Sequence, residues 1–376
     1  MNELELCPEC GVPLIVSNNL FWDTNGVIIV KASPRSRFVF FESDTIDCML
    51  EGIEVLIGMP IEHIVLESRS REARRYIERS FPPALCEPIR DYVRKKTAGE
   101  GIPLDIERGL LDMFRGITQS VIDIGRAYGY GDQRLEDTWE NGGDFPWRTQ
   151  VIRNPHSKLN FIGDQLGSIE AIEGLDMQVE YEEIEAGKYR VDLQPGEHPV
   201  ELAERLKRKR YEFKPGDIPY ERCPSCDIPL EVASRVWDVE EGTITDPETA
   251  WRMAIFGPSA ADAIFDDLEA ELGEAVPDAV IEAQRRYIRG AWSAEKWNRS
   301  GATFQQMIAV RGLGNLVDFK GGRKGTSVRI ENSCYHLPVV GTMQALTELA
   351  YRAESSTREW ELAEDGDLRL EIRIRS

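Results

Sequence analysis

No apolar run in this 376-residue sequence approaches the roughly 18–20 residues of a membrane-spanning helix, and the N-terminal residues lack the basic start of a secretory signal. Positive charge is also in short supply, because 45 Lys and Arg face 66 Asp and Glu and leave a net charge of −21. A surface of this sign repels phosphate groups, which argues against nucleic acid or an anionic membrane as a partner. We therefore expect a cytoplasmic protein without a membrane span. A protein partner is compatible with this composition.

Histidine is equally scarce, with four residues in the chain, and no Ser/His/Asp order, paired-carboxylate signature or P-loop stands out. The cysteines number seven, which is odd, and the chain is too long to depend on disulfides for its core. Four of them fall in two Cys-x-x-Cys pairs, a pattern typical of metal ligands or redox thiols rather than of a disulfide framework. The signal for catalysis is therefore weak, and the signal for metal binding is stronger.

Two stretches of the chain repeat one another. Cys7-Pro8-Glu9-Cys10 recurs as Cys223-Pro224-Ser225-Cys226, and a Trp-Asp pair follows each, at Trp22-Asp23 and Trp237-Asp238. Later landmarks recur in the same order: Arg74-Arg75-Tyr76-Ile77 with Arg285-Arg286-Tyr287-Ile288, Asn154 with Asn332, Gly163 with Gly341, and Glu170 with Glu348. Internal repeats of this kind predict a tandem duplication.

The landmarks divide the chain into two copies and a linker. Copy one covers residues 1–200. It begins with the Cys pair and the hairpin after it, the knuckle hairpin, over 1–42. Helices follow over 43–130, and the last part of the copy, the closing module, covers 131–195. A charged linker over 201–217 follows. Copy two covers residues 218–376, with a knuckle hairpin over 218–257, helices over 258–318 and a closing module over 319–376. Each copy is long enough to bury a core of its own.

Both copies predict the same mixture of strands and helices. A short β-hairpin follows each Cys pair, and in copy one its strands are predicted at Leu14-Ile15-Val16 and at 27–30. Helices come next, and each closing module reads as hairpin, helix, hairpin. In the last strand the apolar side chains of Leu368, Leu370 and Ile372 alternate with charged ones, as in a strand with one buried face. We predict an α+β fold of two diverged copies, each an antiparallel sheet covered by helices with an N-terminal zinc-knuckle hairpin.

Each Cys-Pro-x-Cys segment has the form of a zinc knuckle, in which proline and a small residue let the backbone curl until two thiolates face one ion. A structural zinc ion needs four ligands, and each copy offers two. The simplest solution is one structural site formed by Cys7, Cys10, Cys223 and Cys226 near a pseudo-twofold axis. Two alternatives stay open: a pair of redox-active dithiols, or knuckles completed by the second chain of a homodimer.

Five further residues are candidates for ligand binding. Gly163 and Gly341 lie within predicted helices, where glycine costs about 0.5–1 kcal/mol and so marks the close approach of a ligand, another helix or the sheet. We predict an apolar pocket in each copy, or one cavity shared by both, between the closing helix and the sheet. Cys334 and His336 precede the copy-two helix, and His156 takes the place of Cys334 in copy one. These three are candidates for ligand binding, for reactive groups, or for buried and capping residues.

The closing module of each copy resembles the vinyl-4-reductase domain family, whose members are similar to subunits of the TRAPP tethering complex. The resemblance lies in Arg311-Gly312-Leu313-Gly314, in 328–334, in Val340-Gly341-Thr342-Met343 with Glu348, and in Asp365-Gly366-Asp367-Leu368. Copy one matches more weakly, through Arg126 and through 151–163. The resemblance implies binding of a small hydrophobic ligand, often in a sensor or accessory module, and some relatives are linked to reduction of a vinyl group.

Our leading expectation is a zinc-stabilised accessory or sensor protein that binds a small hydrophobic ligand through these modules. An enzyme, a reductase or transferase using Cys334 and His336, is the first alternative. A non-catalytic assembly scaffold is the second.

Overall fold

The computed structural model describes residues 4–135, 139, 143–202, 211–292 and 304–375, so that the centre of the predicted linker, 203–210, lies outside the described residues. Its helices are α1 (Leu14–Asn19), α2 (Asp44–Ile57), α3 (Glu62–Ser80), α4 (Pro83–Thr97), α5 (Leu104–Ala127), α6 (Lys158–Glu173), α7 (Leu230–Ala233), α8 (Pro258–Leu272), α9 (Val276–Ala291), α10 (Phe304–Val310) and α11 (His336–Tyr351), with a 3₁₀ turn over Pro146–Arg148. Its strands are β1 (Leu20–Trp22), β2 (Ile28–Val30), β3 (Ser33–Glu42), β4 (Asp132–Gln133), β5 (Thr149–Arg153), β6 (Met177–Glu185), β7 (Lys188–Pro195), β8 (Val236–Asp238), β9 (Thr243–Thr245), β10 (Arg252–Phe256), β11 (Asn315–Gly322), β12 (Gly325–Glu331), β13 (Ser356–Leu362) and β14 (Leu368–Ile374).

This arrangement is an α+β fold with antiparallel sheets, which confirms the predicted fold class at that level. The alternation predicted for the last strand is also present. Leu368, Leu370 and Ile372 in β14 are buried, and the charged residues between them are exposed. No helix in the described part of the chain is both long and apolar enough to cross a bilayer.

The described residues form two compact units whose boundaries differ from those of the sequence repeats. The first unit contains the described residues within 1–4, 61–203 and 238–243. The second contains the described residues within 5–60, 204–237 and 244–376. Residues 5–60, which the repeats assign to copy one, therefore belong with most of copy two. Conversely, the turn 238–243, which the repeats assign to copy two, lies in the first unit with most of copy one.

The first unit is built on the sheet β4-β5-β7-β6 and on helix α6, which packs against that sheet and along α3. Its core surrounds the fully buried Trp147, which contacts Phe114 of α5 edge-on, with 5.0 Å between ring centroids. Aliphatic side chains from α6 and from the inner face of the sheet complete this core. The helices cover the sheet because its apolar residues must be shielded from water.

The second unit contains two sheets. The six-stranded sheet has the order β1-β2-β3-β10-β9-β8, and its central pair β3–β10 places Phe40 opposite Ile255. The other sheet has the order β11-β12-β14-β13, which is the strand order of the first unit's sheet. Helix α11 packs on β13 and β14 and along α9, and α9 also packs against α2.

In each unit one pair of glycines joins segments that the sequence repeats assign to different copies. In the second unit the Gly314 N–H donates to the Gly26 carbonyl oxygen at 3.0 Å. In the first unit the Gly131 N–H donates to the Gly242 carbonyl oxygen at 2.9 Å. A Cβ at Gly26 or Gly242 would lie about 2 Å from a backbone oxygen, so glycine is required at both turns. The hairpin assigned to each copy thus contacts the other, at Gly314 shortly before the closing module of copy two and at Gly131, the first residue of that of copy one.

One local prediction is wrong. The predicted strand Leu14-Ile15-Val16 is the start of helix α1, and the pairing strands are β1 and β2, with Leu20 opposite Val30. Pro13 precedes the helix with φ −55°, which suits a first helical turn, and the Ser17 hydroxyl donates to the Leu14 carbonyl oxygen at 3.0 Å. The chain therefore turns once as a helix before it enters the hairpin.

Candidate metal centre

Each Cys-Pro-x-Cys segment is a tight backbone turn. The Gly11 N–H donates to the Cys7 carbonyl oxygen at 2.9 Å, and the Asp227 N–H donates to the Cys223 carbonyl oxygen at the same distance. Gly11 and Asp227 both have left-handed backbones, with φ of +76° and +62°. Glycine adopts this conformation freely and aspartate tolerates it, which explains the residue that follows each second cysteine. The turn brings the two sulfur atoms of a segment together.

The sulfur atoms of both segments form one cluster. Cys7 Sγ lies 3.8 Å from Cys223 Sγ, and Cys10 Sγ lies 3.5 Å from Cys226 Sγ. All four sulfurs lie within 4.8 Å of one another, and all four cysteines are free thiols. A zinc ion bound tetrahedrally by four thiolates at about 2.3 Å would hold the sulfurs about 3.8 Å apart. The cluster therefore has the dimensions of a four-thiolate metal site.

The thiols of this cluster differ in acidity. Burial raises the pKa of Cys7, but the backbone N–H groups of Cys10 and Glu9 lower it, and the balance is about 7. Burial raises the pKa of Cys226 to about 11 and that of Cys10 well above its usual range, and the sulfurs of Cys7 and Cys223 add to both shifts. Thiolates this close repel one another, so ionisation of all four requires a cation among them.

The cluster lies entirely within the second unit. Cys7 and Cys223 are each 2% exposed, while Cys10 and Cys226 are half-buried. One chain thus supplies four convergent thiols, which favours a site within the chain over one shared between two chains. Residues 5–60 and 211–237 bring one knuckle each, so a bound ion would tie the N-terminal hairpin of copy one to that of copy two.

Gly163 and Gly341 mark close contacts between helices. A Cβ at Gly163 in α6 would lie 2.6 Å from the Cβ of Arg69 in α3. A Cβ at Gly341 in α11 would lie 2.5 Å from the carbonyl oxygen of Ile281 in α9. The close approach that glycine predicted is therefore made by another helix. An apolar cavity beside α11, lined by Phe41, Met307 and Val339 among others, measures about 20 Å³, room for about one water molecule.

Cys334 lies at the start of the closing helix of copy two, as a half-buried thiol. Its Sγ donates to the Gly312 carbonyl oxygen at 3.6 Å. Burial raises its pKa to about 11, with the nearby charge of Arg37 opposing the shift and that of Asp262 adding to it. A thiol that stays protonated at neutral pH is a poor nucleophile, which disfavours the enzyme alternative.

The two candidate histidines have different surroundings. His156 in the first unit is 6% exposed, and its ring stacks on that of Tyr130 with 4.3 Å between centroids. His336 in the second unit is half-buried at the first position of α11, with its ring 5.4 Å from that of Trp360. His336 also lines a cleft of about 330 Å³. Of the five predicted ligand-binding residues, His336 alone lines this cleft among the described residues.

A second cluster of metal-binding residue types, Glu170, Asp176 and His198, lies in the first unit. Each of its three charged groups already has an ion-pair partner. His198 Nδ1 lies 2.6 Å from Glu67 and its Nε2 lies 2.8 Å from Glu170. Arg74 lies 2.9 Å from Asp176. In the second unit the matching residue Glu348 is also buried and forms ion pairs with Arg285 and Arg289. Arg289 is therefore the counterpart of His198. We interpret this cluster as an ion-pair network.

This network predicts a pH-dependent stability in the first unit. Hydrogen bonds to Glu170 and Glu67 raise the pKa of His198 to about 10, from an ordinary value of 6.5. A raised folded-state pKa stabilises fully below pH 6.5, and that stability is lost as pH rises through about 10. His198→Gln should therefore lower the urea-unfolding free energy by about 2 kcal/mol at pH 6 and by much less at pH 10. The matched variant Arg289→Gln should cost the same at both pH values, and an equally constant cost for His198→Gln would contradict the assignment.

Two features of these sites escaped sequence reasoning. The repeats matched Glu170 to Glu348, but their cationic partners come from different places, namely residue 198 beyond β7 and residue 289 in α9. The carboxylates of the cleft could have been placed on one helix face from the sequence, because Asp262, Asp266 and Glu269 follow helical spacing on α8. That signal indicates one face of a helix and leaves open whether the face is solvated or lines a cleft.

The chain was compared with family models, with curated proteins and with solved structures, and none of them matches it.

Proposed function

We propose that this protein is a tandem duplication whose two knuckles share one structural zinc ion, and that it acts as a non-catalytic accessory protein. The observation that carries the proposal is the convergence of four thiols at the spacing of a tetrahedral thiolate site. Four protein ligands leave no open position for water or substrate, so such an ion stabilises and does not catalyse. The free thiols of the described residues favour a reducing compartment such as the cytoplasm.

Three features support the duplication. The order of the six-stranded sheet is symmetric about the β3–β10 pair, with each strand of copy one matched by its counterpart in copy two. The two four-stranded sheets share one strand order. The glycine contacts at Gly26 and Gly242 are reciprocal. An ancestral homodimer with exchanged hairpins would leave this pattern after its two chains fused.

Cobalt substitution tests the zinc proposal. The reduced protein, stripped of metal by a chelator, should take up one Co²⁺ per chain with strong thiolate-to-metal charge-transfer absorption and the visible bands of a tetrahedral ion. Zinc should displace the cobalt, because a closed thiolate site prefers Zn²⁺. A weak octahedral spectrum, or cobalt that zinc cannot displace, would contradict a four-thiolate zinc site.

Small-molecule binding is our second candidate function. The specific observation that favours it is the cleft at His336, with Phe265, Leu337 and Trp360 in its walls. The resemblance of the closing modules to a ligand-binding family points the same way. The reductase or transferase alternative is weaker because Cys334, its candidate nucleophile, has a raised pKa.

A further inference from the structure

The four thiols of the cysteine cluster are not equally open to solvent. Cys7 and Cys223 are each 2% exposed, whereas Cys10 and Cys226 are half-buried. Each knuckle therefore contributes one enclosed and one accessible sulfur. A small oxidant that arrives from solvent meets Cys10 or Cys226 first, because cysteine oxidation follows exposure as well as thiolate character.

The two accessible sulfurs are neighbours that belong to different knuckles. Cys10 Sγ lies 3.5 Å from Cys226 Sγ, so an approach of about 1.5 Å would bring them to the length of a disulfide bond, about 2.05 Å. A disulfide within one knuckle would instead have to join an accessible sulfur to an enclosed one. Exposure and distance together favour the pair that crosses the knuckles.

A zinc ion in the cluster would keep these sulfurs in their reactive form. Zinc binds cysteine as the thiolate, and the thiolate is the form that attacks an oxidant. A structural zinc site needs four ligands, so the loss of two thiolates to a disulfide leaves too few to hold the ion. Oxidation of one pair is therefore coupled to release of the metal.

We propose that Cys10 and Cys226 form an oxidation site, at which hydrogen peroxide creates a disulfide between the two knuckles and expels the zinc ion. The inference rests on the zinc site proposed above. One thiolate attacks a peroxide oxygen, the O–O bond breaks, hydroxide leaves and a sulfenic acid remains. The second thiolate attacks that sulfur, the S–S bond forms and a second hydroxide leaves. Two protons convert the hydroxides to water, and peroxide has accepted the two electrons that the sulfurs lose.

The disulfide would preserve the connection that the metal provides. It joins residues 5–60 to residues 211–237, as the ion does, through two cysteines that are 216 positions apart in the sequence. A cross-link that closes so long a loop restricts the unfolded chain strongly. We therefore expect the oxidised protein to lose its zinc and to keep its fold, whereas Cys7→Ser loses the ion and gains no link.

Peroxide titration of the full chain tests the proposal. The chain carries Cys48→Ser, which removes an exposed thiol outside the cluster, and its zinc content is measured before any oxidant is added. About one equivalent of hydrogen peroxide should release all the zinc to a chromogenic chelator, because one disulfide consumes one peroxide. Alkylation in denaturant should then label Cys7 and Cys223 and leave Cys10 and Cys226 unlabelled.

Gel mobility without reductant distinguishes the possible disulfides. A link between Cys10 and Cys226 should make the denatured chain migrate faster, because it closes a long loop, and dithiothreitol should reverse the shift. A disulfide within a knuckle closes a ring too small to change mobility. Cys226→Ser should give no fast-migrating form, and the alkylation pattern of the parent chain carries the test if this variant does not fold.

The outcomes separate the oxidation site from the zinc site. Zinc that is present and stays bound after several equivalents of peroxide would overturn the oxidation site and leave the zinc site standing. Protection of Cys7 together with Cys10, or oxidation to sulfinic acids that dithiothreitol cannot reverse, would also overturn the oxidation site. A chain without zinc at the start would overturn the zinc site and the release that depends on it. The alkylation pattern of that metal-free chain would then decide the disulfide by itself.

Discussion

We expect native mass spectrometry of the monomeric chain to find one zinc ion, and we expect Cys7→Ser and Cys223→Ser each to abolish it. Either change removes one corner of a tetrahedron whose four sulfurs lie within 4.8 Å of one another. Structural zinc contributes on the order of 10 kcal/mol in small domains that depend on it, whereas this unit has a core of its own. We therefore expect a loss of several kcal/mol and not complete unfolding.

The damage should also be local. Hydrogen exchange should accelerate in the knuckles and in the β1–β2 hairpin of the second unit, and it should stay slow in α3 and α6 of the first. Cys48→Ser is the matched control, because this exposed thiol in α2 lies outside the cluster. Two zinc ions per chain would show that each knuckle binds separately. Zinc found only on a dimeric species would favour the site between chains.

Replacing the glycines that lie between packed helices should cause the second large loss, which is in the free energy of unfolding. Gly341→Ala would place a Cβ 2.5 Å from the carbonyl oxygen of Ile281 in α9. Gly167→Ala would place one 2.0 Å from the carbonyl oxygen of Ser70 in α3. The backbone of a packed helix cannot move aside alone, so each helix pair must separate. We expect a loss of about 2–3 kcal/mol in urea unfolding for each variant.

Two other helical glycines provide the opposite expectation. A Cβ at Gly109 or Gly116 in α5 would meet no atom within 4 Å. Alanine there should stabilise by about 0.5–1 kcal/mol, because it restricts the unfolded chain without a clash. If alanine had the same effect at Gly341 as at Gly116, close helix packing would not be the reason for Gly341.

Local patterns predicted the cysteine cluster and the alternation of β14, because a thiolate site and a half-buried strand each follow short-range rules. The same kind of pattern misassigned Leu14, whose apolar run suits a strand or a helical turn equally well. The contacts of Gly26 with Gly314 and of Gly131 with Gly242 could not be predicted from the repeats. If the copies are related by duplication, Gly26 could contact the same position in either one, Gly131 or Gly314, and similarity between the two gives no basis for choosing. The cleft required α8, α11 and β13 to be placed in space.

The reciprocal glycine contacts limit the order in which parts of the chain can fold during synthesis. A domain usually folds as it leaves the ribosome, N-terminal part first, at about 5–20 residues per second. Here the Gly131 N–H has no partner until the turn containing Gly242 has been synthesised, well after β7 is complete. Residues 5–60 reach their final contacts later still, because Gly26 pairs with Gly314. Residues 5–60 are thus synthesised long before the segments that complete their contacts, and in the nascent chain the buried end of β3 has to avoid pairing with other chains until β10 and Gly314 have been translated.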